Sequence, residues 1–196
     1  MPPSGCRRGV EVSRSLLLLL LVGALLLPCR GYAFSLADPE HTGAAVNLGY
    51  SYDPKPESGF VQLSLMALYD YEQIMPNPAP EPLRFKFEGS LGVADASRRR
   101  AIGSLNFFAL YYLEALQTAK IHPYVEGGAG IIYTDYQVRG QGLRINFNPQ
   151  AGIGSEFRLG DRLWYGALRA HHLSNSHLYR KNRGINSLML QFGFYF

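Results

Sequence analysis

Apolar side chains fall on every second position through most of this chain, a period that belongs to strands with one apolar face and not to helices. Val46, Leu48, Tyr50 and Tyr52 alternate with Asn47, Ser51 and Asp53, and Val61, Leu63, Leu65, Ala67 and Tyr69 with Gln62, Ser64 and Asp70. Leu83, Phe85, Phe87, Leu91 and Val93 oppose Arg84, Lys86, Glu88 and Ser90; Leu105, Phe107, Ala109, Tyr111 and Leu113 oppose Ser104, Asn106 and Glu114. Ile121, Val125, Ala129, Ile131 and Tyr133 oppose His122, Glu126 and Thr134, and a sixth run sets Ile145, Phe147, Ile153 and Phe157 against Arg144, Asn146, Asn148, Gln150, Glu156 and Arg158. A seventh strand is expected from about Leu163 to Asn175, and an eighth carries Leu188, Leu190, Phe192, Phe194 and Phe196 on one side with Ser187, Gln191 and Tyr195 on the other. Turn-forming segments separate the runs: Pro54 to Pro56, the proline-rich Met75 to Pro82, Asp95 to Arg100, Gln137 to Gly142, Gly160-Asp161 and Arg180 to Gly184. Eight strands is an even number suited to a small closed antiparallel barrel, with residues 34–44 as a loose lead-in.

The first 33 residues are set apart. Arg7, Arg8 and Arg14 precede the apolar run Leu16 to Leu27, and Gly31-Tyr32-Ala33 supplies small residues where a signal peptidase cuts, so residues 1–33 read as a secretory signal peptide and 34–196 as one domain. Arg7, Arg8, Arg14, Arg30 and Glu11 leave with this leader, and with them most of the +4 net charge, which removes the argument for a nucleic-acid partner. Cys6 and Cys29, the only two cysteines, leave as well, so neither a disulfide framework nor a thiolate metal site is expected. No later stretch approaches eighteen consecutive apolar residues, so residence in a membrane would require strands.

Alternation alone does not say which face is inside, and a soluble barrel would place the apolar face inward. Two features favour the membrane. The polar face carries Arg84, Lys86, Glu88, Glu114, Glu126, Arg144, Glu156 and Arg169, which can neutralise one another in a lumen, while Tyr50, Tyr52, Tyr69, Tyr71, Tyr111 and Trp164 suit interfacial girdles. The chain also ends on Phe196 after Phe192 and Phe194, which resembles the terminal signature of bacterial outer-membrane proteins. The expected fold is therefore all-β: an eight-stranded antiparallel transmembrane β-barrel of the bacterial outer membrane.

Strand parity then directs attention to the seventh run. His172 and Ser174 share the face of Trp164, Gly166, Leu168 and Ala170, whereas His171 shares the lumenal face of Tyr165 and Arg169. With both termini in the periplasm, His172 and Ser174 lie near the extracellular leaflet, and Asn186, in step with Leu188 and Leu190, joins them on the lipid side. Polar groups aimed at hydrocarbon cost free energy unless they bond one another or a headgroup. On spacing alone, an ordinary headgroup-facing trio and a nucleophile with its base both remain open.

His172-Leu-Ser-Asn175, followed by Leu178, Asn182, Gly184-Ile185 and a terminal apolar strand, resembles the lipid A 3-O-deacylase (PagL) family, as do Phe85-Lys-Phe-Glu88-Gly89 and Pro123 to Gly130. The resemblance implies an outer-membrane esterase that removes the ester-linked 3-hydroxyacyl chain at position 3 of lipid A, without a cofactor or metal. It implies His172 as catalytic base, Ser174 as nucleophile, and Asn175 and Asn182 as oxyanion or substrate-binding residues. The family's acid, a glutamate fourteen residues after the histidine, falls on Asn186; an amide oxygen can accept the imidazole N–H but brings no charge to the imidazolium. A non-catalytic surface barrel and a phospholipase-like ester hydrolase are the rival readings. His177, Arg180, Lys181 and Arg183 form a basic loop that suits lipid A phosphates or solvent equally, and Glu88 and Glu126 are expected to pair with Arg84, Lys86 or Arg144 inside the barrel.

Overall fold

Each alternating run becomes a strand because β-branched, aromatic and aliphatic residues on one face leave the opposite face free for polar side chains in a pleated ladder. A computed structural model describes residues 38–75, 77–95 and 98–196; the leader expected over residues 1–33 lies outside them. The elements are β1 (His41–Asp53), β2 (Ser58–Asp70), a one-turn helix α1 (Tyr71–Ile74), β3 (Leu83–Asp95), β4 (Arg99–Tyr112), a 3-10 turn (Glu114–Leu116), β5 (Ile121–Thr134), β6 (Ile145–Phe147), β7 (Gln150–Leu159), β8 (Arg162–Leu173) and β9 (Ile185–Tyr195). Neighbours in sequence pair antiparallel, and β1 pairs with β9 from Gly43 opposite Tyr195 to Asp53 opposite Asn186, which closes the sheet. Closure reaches the last residue: Phe196 N–H donates to the Thr42 carbonyl, and the Thr42 hydroxyl donates to the Phe196 carbonyl, both at 2.9 Å. Residues 41–44 therefore belong to β1, not to the loose lead-in that the sequence suggested.

The expected sixth strand is one stave in two pieces. Ile131 pairs with Phe147 of β6 and Gly128 with Gln150 of β7 without loss of register, but Pro149 between them has no N–H to give the ladder. Counting β6 and β7 as one stave, the barrel has eight.

The apolar face points outward. Leu63, Leu65, Leu91, Leu105, Ile131, Ile153, Leu168 and Leu190 are all exposed, whereas Asn47, Ser64, Lys86, Glu126, Arg169 and Gln191 are buried. A soluble barrel would show the reverse. Tyr50 and Tyr52 form part of one aromatic rim, and Tyr69, Tyr71, Tyr111 and Trp164 part of the other. β1 to β5, 13 or 14 residues long, exceed the 9 to 11 or so that cross a bilayer and so project beyond the apolar band, whereas β8 and β9, of 12 and 11 residues, scarcely do.

The lumen is filled. In its middle, Arg169 donates to Glu126 at 2.6 Å and to Glu88 at 2.9 and 3.1 Å, and Lys86 donates to Glu126 at 2.6 Å; two cations meet two anions. Gln191 extends the network by accepting from Arg169 and donating to Glu88 and Asn47. Arg84 and Arg144, expected as partners of these glutamates, are instead at the rims, where they bond Glu40 and Asp70, and Asp135, because Arg84 stands at the start of β3 and Arg144 just before β6, both beyond the central layer. Glu114, also expected in the lumen, is exposed in the 3-10 turn. Apolar layers cover the charged one on both sides: Met66, Leu68, Phe108, Leu110, Tyr124, Tyr165 and Tyr195 toward the termini, and Ile102, Ile132, Val138, Leu173 and Ile185 toward the other end. Polar groups are interspersed with these layers: Glu156 accepts from Tyr112 and Tyr195 on the side of the termini, and Ser51, Thr134, Asn146 and Asn148 are buried on the other.

Candidate active site

At the end of the barrel away from the termini, β8 and β9 run side by side with His172 opposite Asn186. His171 is buried, its ring 6.1 Å from that of Phe60, while His172, one residue on, is exposed on the outer wall. Strand parity separates these two histidines correctly. His172 and Asn186 are in contact, with Nδ1 of the ring 2.6 Å from Oδ1 of the amide.

Ser174 lies just past the end of β8 but stays in the ladder. Its N–H donates to the Phe147 carbonyl at 3.0 Å and its carbonyl accepts from Phe147 N–H at 2.8 Å, so β6 extends the wall under it. Two residues of extended chain place the Cα atoms of His172 and Ser174 roughly 6.6 Å apart, both facing outward. Among the described residues no hydrogen bond joins the Ser174 hydroxyl to His172; the structure brings His172 to Asn186 and leaves Ser174 adjacent on the same face.

The loop from 174 to 184 is built to hold this edge. Ser176 and His177 take positive φ of 50° and 63°, and Leu178 N–H donates to the Asn175 carbonyl at 2.9 Å, which makes a tight turn with two left-handed central residues. Asn175 is buried; its backbone N–H donates to Asn182 Oδ1 at 2.7 Å and its side-chain amide to the Lys181 carbonyl at 2.8 Å. The two asparagines that the sequence singled out thus face each other across the loop. The β5–β6 loop supports it from the side: Arg183 N–H donates to the Gly140 carbonyl at 2.9 Å, Gln141 bridges to Asn182, and Gly142 lies so close to Tyr179 that an added Cβ would stand 2.1 Å from the ring. Arg180, Lys181 and His177 are exposed, whereas Arg183 is engaged with Asp53 at 2.8 Å.

Two contacts to this site had no signal in the alternation. Gly184 packs on the imidazole, since a Cβ there would fall 2.6 Å from Cε1 and 3.2 Å from Nε2 of His172. Asp53 also comes to it. The sequence pattern put Asp53 with Asn47 and Ser51 on the inner face, but the β1–β9 register slips between Ser51, opposite Ser187, and Asp53, opposite Asn186. Such a bulge inserts one residue and reverses the face of the residues beyond it. Asp53 consequently lies on the outer side, where its Oδ2 accepts from Asn186 Nδ2 at 2.9 Å and its Oδ1 accepts from Arg183. His172, Asn186, Asp53 and Arg183 form one hydrogen-bonded chain across three strand ends. Among the described residues no cluster of three or more His, Cys, Asp or Glu side chains offers a metal site.

Comparison with known proteins gives concordant results. The sequence profile of the lipid A 3-O-deacylase (PagL) family matches residues 46–195. No curated protein matches the sequence. Among solved structures, the outer-membrane enzyme PagL superposes with a TM-score of 0.58 at 20% identity, covering 77% of this chain and 97% of that one. Neisserial surface protein A (NspA) gives 0.59 at 12% identity, covering 79% of this chain and 94% of its own. At these identities the two likenesses speak to the barrel alone.

Proposed function

The chain belongs to the lipid A 3-O-deacylase (PagL) family and is a bacterial outer-membrane β-barrel, and from that premise we propose that it hydrolyses the ester-linked 3-hydroxyacyl chain at position 3 of lipid A. The observation that carries this reading is the outward-facing imidazole of His172, its Nδ1 held by Asn186 and its far edge on the same face as Ser174. The rim bearing them faces the outer leaflet, where lipopolysaccharide resides, and the leader expected over residues 1–33 serves export.

In the proposed reaction Ser174 Oγ attacks the ester carbonyl while His172 Nε2 takes its proton. The carbon–oxygen ester bond then breaks, and the proton passes from His172 to the departing sugar oxygen. Water, deprotonated by the same imidazole, attacks the acyl-enzyme, releases the fatty acid and restores Ser174. Asn186 accepts the Nδ1 hydrogen throughout, which keeps Nε2 basic before each attack. Asn182, whose Oδ1 is committed to Asn175 and whose Nδ2 remains a donor, is suited to meet the tetrahedral oxyanion, while buried Asn175 braces the loop that carries it. Exposed Arg180 and Lys181 stand where lipid A phosphates would lie.

Expression of wild type and Ser174→Ala in a Gram-negative host, with mass spectrometry of lipid A and phospholipids, tests the proposal. The expected result is loss of one hydroxyacyl mass from lipid A with wild type only. Loss of phospholipid acyl chains would redirect the same pair to a glycerophospholipid. Identical lipids from both proteins would leave a barrel without hydrolytic activity.

A further inference from the structure

We propose that Asp53 is a positioning residue for the His172–Ser174 pair: it orients the Asn186 amide and supplies, one link further out, the negative charge that position 186 lacks. This rests on the proposed hydrolase activity. An asparagine can present either its oxygen or its NH2 to a neighbour, and a free amide beside an imidazole can therefore hold either tautomer. Only one is useful, because the nitrogen that faces Ser174 must carry a lone pair.

Asp53 removes the ambiguity. An ionised carboxylate only accepts hydrogen bonds, so Asn186 must turn Nδ2 toward Asp53 Oδ2, 2.9 Å away. That leaves Oδ1 for His172, 2.6 Å from Nδ1, and an oxygen there requires Nδ1 to be the protonated nitrogen. Nε2 is then the base. When His172 receives the serine proton, the ring becomes a cation whose Nδ1–H still donates to Asn186, and the amide dipole lies between it and the Asp53 anion. Protons move only between Ser174, His172, the substrate and the deacylating water; no step asks Asp53 to take one. Arg183, the other partner of Asp53, bonds Oδ1 at 2.8 Å in a solvent-exposed ion pair, and the contact of Oδ2 with Asn186 does not depend on it.

The backbone supports a dedicated placement. Without the slip between Ser51 and Asp53, residue 53 would face the lumen with Asn47 and Ser51; the bulge delivers its side chain to the outer wall at the level of Asn186. Bulges that re-aim a side chain beside a reactive site are a recurrent device. Here the next turn begins at Pro54, so the extra residue is taken up at the strand end and the rest of the β1–β9 ladder keeps its register.

The test uses the full chain in outer membranes with four variants and two readouts: kcat and KM for lipid A deacylation, and the rate at which a fluorophosphonate labels Ser174, which needs an activated serine but no lipid A. Asp53→Ala is expected to lower kcat and the labelling rate together by about ten- to a hundredfold, with KM changed less than about threefold. Asp53→Ala combined with Asn186→Glu places a charged acceptor directly on His172 and is expected to restore both rates to within about threefold of wild type. Arg183→Gln is expected to alter either rate by less than about threefold. Wild-type rates in Asp53→Ala overturn the proposal. So does a loss that Arg183→Gln reproduces and Asn186→Glu fails to rescue, which would make Asp53 an anchor for the loop. If Ser174 is labelled but lipid A stays intact, the substrate reading fails and the labelling series alone decides the role of Asp53. Absence of labelling above that of the fourth variant, Ser174→Ala, removes the activated pair and this proposal with it.

Discussion

The imidazole of His172 is confined between Asn186, whose Oδ1 lies 2.6 Å from Nδ1, and Gly184, which leaves no room for a β-carbon against its other edge. Gly184→Ala should therefore push the ring out of line while leaving the rest of the ladder alone. Expected is a fall of about tenfold or more in deacylation, because a misplacement near 1 Å can cost about a hundredfold in rate, with the thermal unfolding midpoint of the folded barrel nearly unchanged. An equal loss of folded protein would assign Gly184 to stability instead. At this scale much of the site was legible. Two-residue parity suffices to separate His172 from His171 and to put Ser174 and Asn186 on one face, since β8 and β9 run without interruption through His172 and Asn186 and the bridge to Phe147 keeps Ser174 extended just beyond. Asp53 was not legible, because parity fails at a bulge and nothing in Tyr52-Asp53-Pro54 states where the extra residue is absorbed. Gly184 stands in the sequence only as a motif letter; its closeness to the ring exists only after the loop has folded.

At the scale of elements, the 174–184 loop and the β5–β6 loop hold each other by the Arg183–Gly140 and Gln141–Asn182 contacts and by Tyr179 seated over Gly142. Gly142→Ala should separate them, since the new methyl would meet both the Tyr179 ring at 2.1 Å and the Lys181 carbonyl at 2.9 Å. The expected outcome is faster amide hydrogen exchange across residues 135–144 and 174–184 and a several-fold loss of activity, with exchange in the strands unaffected. Unchanged exchange in either loop would show that they do not depend on each other. The strand count and the order of turns are consequences of alternation and of Gly and Pro positions. The break at Pro149 was missed, since the sixth strand was read straight through a residue that has no N–H to give, and the pairing of the two loops had no sign at all, because both are polar segments whose contacts depend on where the closed sheet puts their ends.

The whole molecule is organised around the buried Arg169, which serves Glu88, Glu126 and Gln191 at once. Buried ions of this kind need not add net stability, yet removing one partner strands the others. Arg169→Ala leaves Lys86 alone to offset two buried carboxylates and should destabilise the folded barrel by about 3–5 kcal/mol, read as a drop in the urea midpoint for unfolding from lipid vesicles. A midpoint equal to wild type would mean that water enters the lumen freely and solvates the glutamates. Which charges meet was only partly legible: the residues of the network were all on the polar face, but their partners depend on stagger between strands far apart in sequence, and Arg84 and Arg144 fell outside the central layer for that reason.

Because charged and apolar side chains fill the middle of the barrel and the imidazole of His172 stands on the outer wall, a hydrolase that used it would draw no substrate through the lumen from water. Its substrate would arrive sideways, as a neighbour in the same sheet of lipid, and how often the two met would be a matter of mole fraction in two dimensions and not of molarity in three. Crowding the leaflet with inert lipid would then slow such an enzyme as surely as a competitive inhibitor, and the composition of the bilayer itself becomes a regulator of turnover.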